Sequence, residues 1–400
     1  MLRPWWWIVL IIIAVFVVNF ILPSDLNGWS PTINFSPDAI FDDHYLEEEA
    51  NWRLTNSEFG RRPLMVNLLL GGVRLTGWSY IIVFAILQLA GYLLCCGTLV
   101  WWCRSLHPRA GLFGILLPFI LLFPQVFLFV AHAHTFDDFY QYTALLLGLV
   151  ATIHKKHAAA WGMLVVACVI RETSILLIPT FAALLYVNSK LNLTRVILFS
   201  VTAIAFSVLM LWLYLPEAQQ LATVDFTRDR RFTAWQVNFQ SWRHTSEALF
   251  LPVLIVGPSL FLLLSNWRSC TAQRISKCLS YCFIFTVVIN TGLVWLAAAA
   301  AEARLFTLPL LCIFPVLSMQ WSDLLPKVVS RIKEWGPKDI LFALLIVLLI
   351  QSIYYPTVGG TGYAFRLYVA AWTFVMISIV QVTYRQQSRF SRDASTDYLH

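Results

Sequence analysis

The stretch "FDDHYLEEEANWRL" sets two carboxylates, Asp42 and Asp43, side by side just ahead of a predicted helix. A carboxylate so placed can act as a general base that takes the proton of an attacking hydroxyl. It can equally cap the helix by accepting from its free N–H groups. A cap needs only one aspartate, so the second remains to be explained, while Glu47, Glu48 and Glu49 read as the solvated face of that helix. In "HAHTFDD", His132, His134, Asp137 and Asp138 are oxygen and nitrogen donors that could ligate a divalent metal. No cofactor is fixed by the sequence; a divalent cation is one that these residues could hold.

Three further segments carry charge inside apolar surroundings: "VIRETSILLIP" with Arg171 and Glu172, "AAAEARLFTLPLL" with Glu302 and Arg304, and the "RDRR" group of Arg228, Asp229, Arg230 and Arg231. The guanidinium is a planar fork of donors that matches the oxygens of a phosphate or carboxylate. These arginines therefore point to an anionic, phosphate-bearing ligand. The plainer alternative is that Arg171 neutralises Glu172, and Arg304 neutralises Glu302.

The elements that must position these residues are membrane helices. Hydrophobic residues make up 59% of the 400 and charged residues 12%, with a mean hydropathy of +0.71. An ordinary soluble domain carries about 25% charged residues. The fold class is all-α, a polytopic membrane protein. The net charge of +7 is not read as nucleic-acid binding, because basic residues in such proteins first set topology.

Apolar runs near 5–22, 78–102, 111–131, 139–153, 158–170, 173–188, 196–215, 248–264, 278–298, 305–320, 340–356 and 367–384 predict about twelve transmembrane helices. The first is read as a retained anchor, since its roughly 18 apolar residues exceed a signal peptide's core and no small-x-small cleavage site follows. With both termini in the cytoplasm, Lys155, Lys156, Lys190, Lys277, Lys327, Lys333 and Lys338 all fall inside, as the positive-inside rule asks. The same alternation sends every segment of chemical interest to the extracytoplasmic face.

Residues 1–400 thus read as one transmembrane domain with a first extracytoplasmic loop at 23–77, a second long one at 216–247, and a cytoplasmic tail at 385–400. Within the first loop, residues 38–58 are expected as an amphipathic helix on the membrane surface, with Ile40, Phe41, Tyr45, Leu46 and Trp52 toward lipid. Residues 63–75 are too short to span and are expected to dip in and return. Lys156 and Lys190 bracket 33 residues, which must go out and come back on arms of about 25 Å, short of the roughly 30 Å hydrocarbon core. Arg171 and Glu172 are therefore expected below the outer surface, where ionisable groups are costly and usually functional. The eight cysteines fall in helices or cytoplasmic loops, with no zinc spacing and no disulfide framework.

Taken together, "FDDHYLEEEANWRL" followed by "FGRRPLMVNLLLGG" resembles the first outer loop of the GT-C membrane glycosyltransferases. There, an acidic pair precedes an aromatic-containing helix, and a basic-Pro-Leu segment follows. "RETSILLIP" and "EARLFTLPLL" resemble recurrent helix-edge segments of the bacterial enzymes. The resemblance implies many helices with outer-face juxtamembrane helices, a polyprenyl-phosphate-linked sugar donor, and a glycan or lipid acceptor beside membrane lipid. It places the active face on the outside of a bacterial inner membrane.

The resemblance further implies a first-loop aspartate as catalytic base, Asp42 ahead of Asp43. His44, Arg62, Arg171, Glu172, Arg228, Arg230, Arg231, Glu302 and Arg304 form the substrate-binding set. Inversion is expected at the sugar carbon. The rival readings are an O-antigen-type polymerase, a lipid-linked glycan transporter or flippase, and an O-acyltransferase using His132 or His134.

Overall fold

The computed structural model describes residues 43–55, 63–122, 137–189, 191–221, 234–297 and 303–353, with 377 and 380–381. Every regular element among them is helical. In chain order these are α1 (Asp43–Thr55), α2 (Pro63–Thr76), α3 (Tyr80–Leu106), α4 (Leu112–Leu122), α5 (Asp138–Ile153), α6 (His157–Ile170) and α7 (Ile178–Ser189). They continue with α8 (Leu193–Leu221), α9 (Ala234–Phe239), α10 (Trp242–Ser265), α11 (Trp267–Cys270), α12 (Arg274–Ala297), α13 (Leu310–Lys333) and α14 (Pro337–Ile353). Short 3-10 turns at Glu172–Leu177 and Ala303–Phe306 lead into α7 and α13.

Among the described residues, five segments, Tyr80–Leu106, Glu172–Ser189, Leu193–Met210, Ala248–Ser265 and Arg274–Leu296, are long and apolar enough to cross a membrane by length and composition. This is consistent with a helical membrane protein. α4, α5, α6, α13 and α14 occupy others of the predicted runs, while the runs at 5–22 and 367–384 lie outside the described helices. Leu341, Phe342, Leu345, Leu348 and Leu349 of α14, like Ile197, Leu198 and Val201 of α8, are exposed. Such contiguous apolar surface suits hydrocarbon rather than water.

α3 is the spine of the fold. Its first N–H groups have no partner within the helix, and two side chains supply one: Ser79 accepts from Ile82, and Asp43, 38 positions earlier, accepts from Ile81 at 3.0 Å. Further along, the Tyr140 hydroxyl donates to the Leu87 carbonyl, the rings of Tyr92 and Phe139 pack, and Trp101 faces His154. Residue numbers rise together along the two helices, so α3 and α5 run parallel. Gly91 permits this approach, because a Cβ there would meet the Tyr140 ring at 2.6 Å. At the far end, the Trp102 indole donates to the Leu311 carbonyl at 3.0 Å and ties α3 to α13.

α5, α6 and α7 form a three-armed hairpin. α5 turns at His154–Lys156, with Lys155 in the left-handed region at φ 58°. α6 climbs back for 14 residues, about 21 Å, and the chain reverses at Arg171. α7 then descends until Asn188 donates to the Thr152 and Ile153 carbonyls at 3.0 and 2.9 Å, closing the C-terminal end of α5.

Two sequence expectations change. α1 does not turn Leu46 toward lipid: Leu46, Ala50 and Arg53, spaced by four and three, are buried, and Leu46 and Ala50 pack with Met65, Val66, Leu69, Val83 and Phe84. α2 is one unbroken helix rather than a dip and return; the reversal comes after it, where Gly77 takes φ 69°. Beyond the apolar run that ends near 320, α13 continues to Lys333, with Leu324, Leu325 and Val328 buried while Asp323 and Lys327 are exposed.

Candidate functional site

The first residues of α5 gather the charged segments. Asp137 precedes the helix and Asp138 opens it, and the two carboxylates are 2% and 0% exposed as residues. Free N–H groups and the helix dipole favour negative charge at that end. Each carboxylate also meets a buried arginine from a different element. Arg53, near the end of α1, donates to Asp137 Oδ2 at 3.4 Å. Arg171, in the extended link between α6 and the 3-10 turn, donates to Asp138 Oδ1.

Neutral side chains extend the contact. Gln141, one turn into α5, donates to Thr173 at 3.0 Å and to Ser174 at 2.9 Å, stitching the Arg171 reversal to α5. Tyr142 and Thr307 share a buried hydrogen bond of 2.6 Å, which brings in the segment after Arg304. Asn290 of α12 donates to the Leu305 carbonyl at 2.8 Å. Arg53 of the first loop, Asp137 and Asp138, the reversal at 171–174 and residues 305–307 therefore converge where α5 begins.

This cluster lies well along α3. The α5 start is level with Tyr92, twelve residues beyond Tyr80 and thus about 18 Å down the helix. α1 covers the same distance alongside, with Asp43 at Ile81 and Arg53 at Asp137, ten residues or about 15 Å apart. Asp43 and Arg171 consequently sit at two different levels. They do not share one contact sphere.

Asp43 is half-buried and accepts from the Ile81 N–H, so it caps the start of α3. His44 and Glu48 approach to 3.3 Å on the exposed face of α1. Arg171 meets Asp138 rather than standing only against its neighbour Glu172, which is half-buried in the 3-10 turn. The backbone at Arg304 forms part of the turn Ala303–Phe306. Asp42, Arg62, His132, His134, Arg228, Arg230, Arg231 and Glu302 lie outside the described residues.

For a divalent cation, the described half of the "HAHTFDD" set offers two carboxylates, each already facing a guanidinium. No group of three or more His, Cys, Asp or Glu side chains suited to a metal occurs among the described residues. Asp137 Oδ1 is buried without a hydrogen-bond partner among them. All eight cysteines are free thiols.

Arg53, Gln141, Tyr142 and Thr307 are members of the cluster that sequence reasoning did not single out. The signal for Arg53 was present: it shares the 46, 50, 53 stripe with two small or apolar residues, an odd place for an exposed arginine. Comparison with family models, curated proteins and solved structures finds no match for the chain. The functional reading rests on the residues and where they meet.

Proposed function

We propose that the chain is a membrane glycosyltransferase of the GT-C kind, moving a sugar from a polyprenyl-phosphate donor to a glycan or lipid acceptor at the extracytoplasmic face of a bacterial inner membrane. The observation that carries this reading is the convergence of separate sequence segments on the start of α5, with the first-loop helix docked lengthwise from Ile81 to Asp137. A transferase of this kind needs a first-loop acid held at a set position against the bundle. A docked helix with a charged residue fixed at each end supplies that support.

Asp43 is engaged with the start of α3, and the base is assigned to Asp42, the first of the pair. Its carboxylate takes the proton of the acceptor hydroxyl as that oxygen bonds to the anomeric carbon. The bond from that carbon to the phosphate oxygen breaks, and polyprenyl phosphate leaves with the electron pair. A single direct attack inverts the sugar carbon. Arg62, Arg228, Arg230, Arg231 and Arg304 are the cations that stabilise the departing phosphate. Arg171, already matched to Asp138, holds the reversal between α6 and α7.

The test is to quantify lipid-linked sugars in membranes with and without the gene. A monophosphate-linked sugar should accumulate on deletion and be consumed by the purified protein. Accumulation of diphosphate-linked repeat units would instead identify a polymerase. Unchanged pools, with no consumption in vitro, would refute transfer.

A further inference from the structure

The buried pair Arg53–Asp137 has no part in the chemistry above, yet it joins the acid-bearing first loop to the bundle. Both side chains are 2% exposed and 84 positions apart in sequence. Withdrawing two charges from water costs several kcal/mol each, and a buried pair is often replaceable by apolar residues without loss of stability. Its best-attested use is to fix registry between elements. Here the elements are α1 and α5, and the second anchor of α1, Asp43 on the Ile81 N–H, lies about 15 Å away at its other end. Between the anchors, Leu46 and Ala50 seal the helix against α2 and α3. A helix pinned at both ends cannot slide or rotate without breaking a buried contact.

We propose that Arg53 and Asp137 are positioning residues, whose ion pair sets the height of α1 along the bundle and thereby places Asp42 against the donor. This rests on the glycosyltransferase reading for its catalytic consequence, though not for its mechanical one. Asp138 and Arg171 play the corresponding part for the α6–α7 reversal, so adjacent aspartates clamp two separate elements to a common origin.

The experiment is a double-mutant cycle with Arg53→Gln, Asp137→Asn and their combination, with Asp137→Glu as the conservative variant. Turnover is measured on donor and acceptor, and the motion of α1 is followed by a nitroxide at Glu48→Cys, a position on the exposed face. Each single change should lower kcat roughly 10- to 100-fold with the donor KM within about 3-fold, as misplacement of a reacting group does. Each should also raise nitroxide mobility. The combination should be no worse than either single change, and Asp137→Glu should recover much of the loss.

Multiplying losses in the double variant, or unchanged kcat in the singles, would overturn the proposal. If a single variant fails to fold, the neutral double variant decides by the same two readouts. A rigid nitroxide in every variant alongside normal wild-type transfer would reject the positioning role and leave the transferase standing. A mobile nitroxide in a protein without transfer activity would reject the transferase and leave the mechanical role of the pair standing.

Discussion

Asp42–Asp43 and Asp137–Asp138 are the same dipeptide, and Asp43 and the second pair meet different surroundings. The second pair is buried, and each carboxylate faces a buried arginine drawn from a distant element. In the first pair, Asp43 is half-buried and accepts from one backbone N–H of α3. A carboxylate locked against a guanidinium in a dry interior is a poor acceptor for a substrate proton, because the transfer would strand the cation. Burial and partner, rather than the residue type, separate Asp137 and Asp138 from Asp43.

The comparison can be broken most forcefully at Asp138. Asp138→Asn removes a carboxylate from buried Arg171 and should cost about 3–5 kcal/mol of stability, read as a large drop in thermal midpoint in detergent. Combining it with Arg171→Gln should recover part of that loss. Unchanged stability in Asp138→Asn would mean that the second pair is no more structural than the first.

Asp42→Asn is the converse. It should leave the thermal midpoint in place while turnover falls about 100-fold or more, the usual scale for loss of a general base. Asp43→Ala removes a cap and should cost about 1 kcal/mol, with turnover lowered through the disturbed start of α3. Loss of stability in Asp42→Asn, or of turnover alone in Asp43→Ala, would reverse the roles within the pair.

The smallest effect is expected at Glu48. Its carboxylate meets His44 at 3.3 Å with side chains 52% and 72% exposed, and exposed pairs contribute roughly 0–1 kcal/mol. Glu48→Gln should change neither stability nor turnover measurably. A clear loss of turnover would show that the acidic run of α1 does more than face solvent.

Much of this arrangement was legible in the chain. The short arms between Lys156 and Lys190 marked Arg171 as the reversal of a hairpin, and Arg171 is buried where the chain turns from α6 to the 3-10 segment. The apolar runs located α3, α5, α6, α7, α8, α10 and α12 closely, because hydropathy over a span-length window reports hydrocarbon or core contact directly. Pairing between segments was not legible. Neighbouring opposite charges suggested Arg171 with Glu172, and no local pattern pointed to the contact of Arg171 with Asp138, 33 positions earlier. α1 was expected on the membrane surface because its composition is mixed, and only the packing of Leu46, Ala50 and Arg53 turns it into the bundle.

Asp43 shows the same limit. An aspartate before a helix suggests a cap on that helix, and no local pattern points to an N–H of α3 far along the chain. The tertiary contact shows that Asp43 is engaged with α3, and the proposed chemistry is assigned to its neighbour Asp42.

The measurement that tests this division most directly is turnover per folded molecule on a polyprenyl-monophosphate sugar, comparing wild type with Asp42→Asn in purified, bilayer-reconstituted protein. The account predicts a loss of about 100-fold or more, with donor still bound and the fold intact. Wild-type turnover in Asp42→Asn would contradict it.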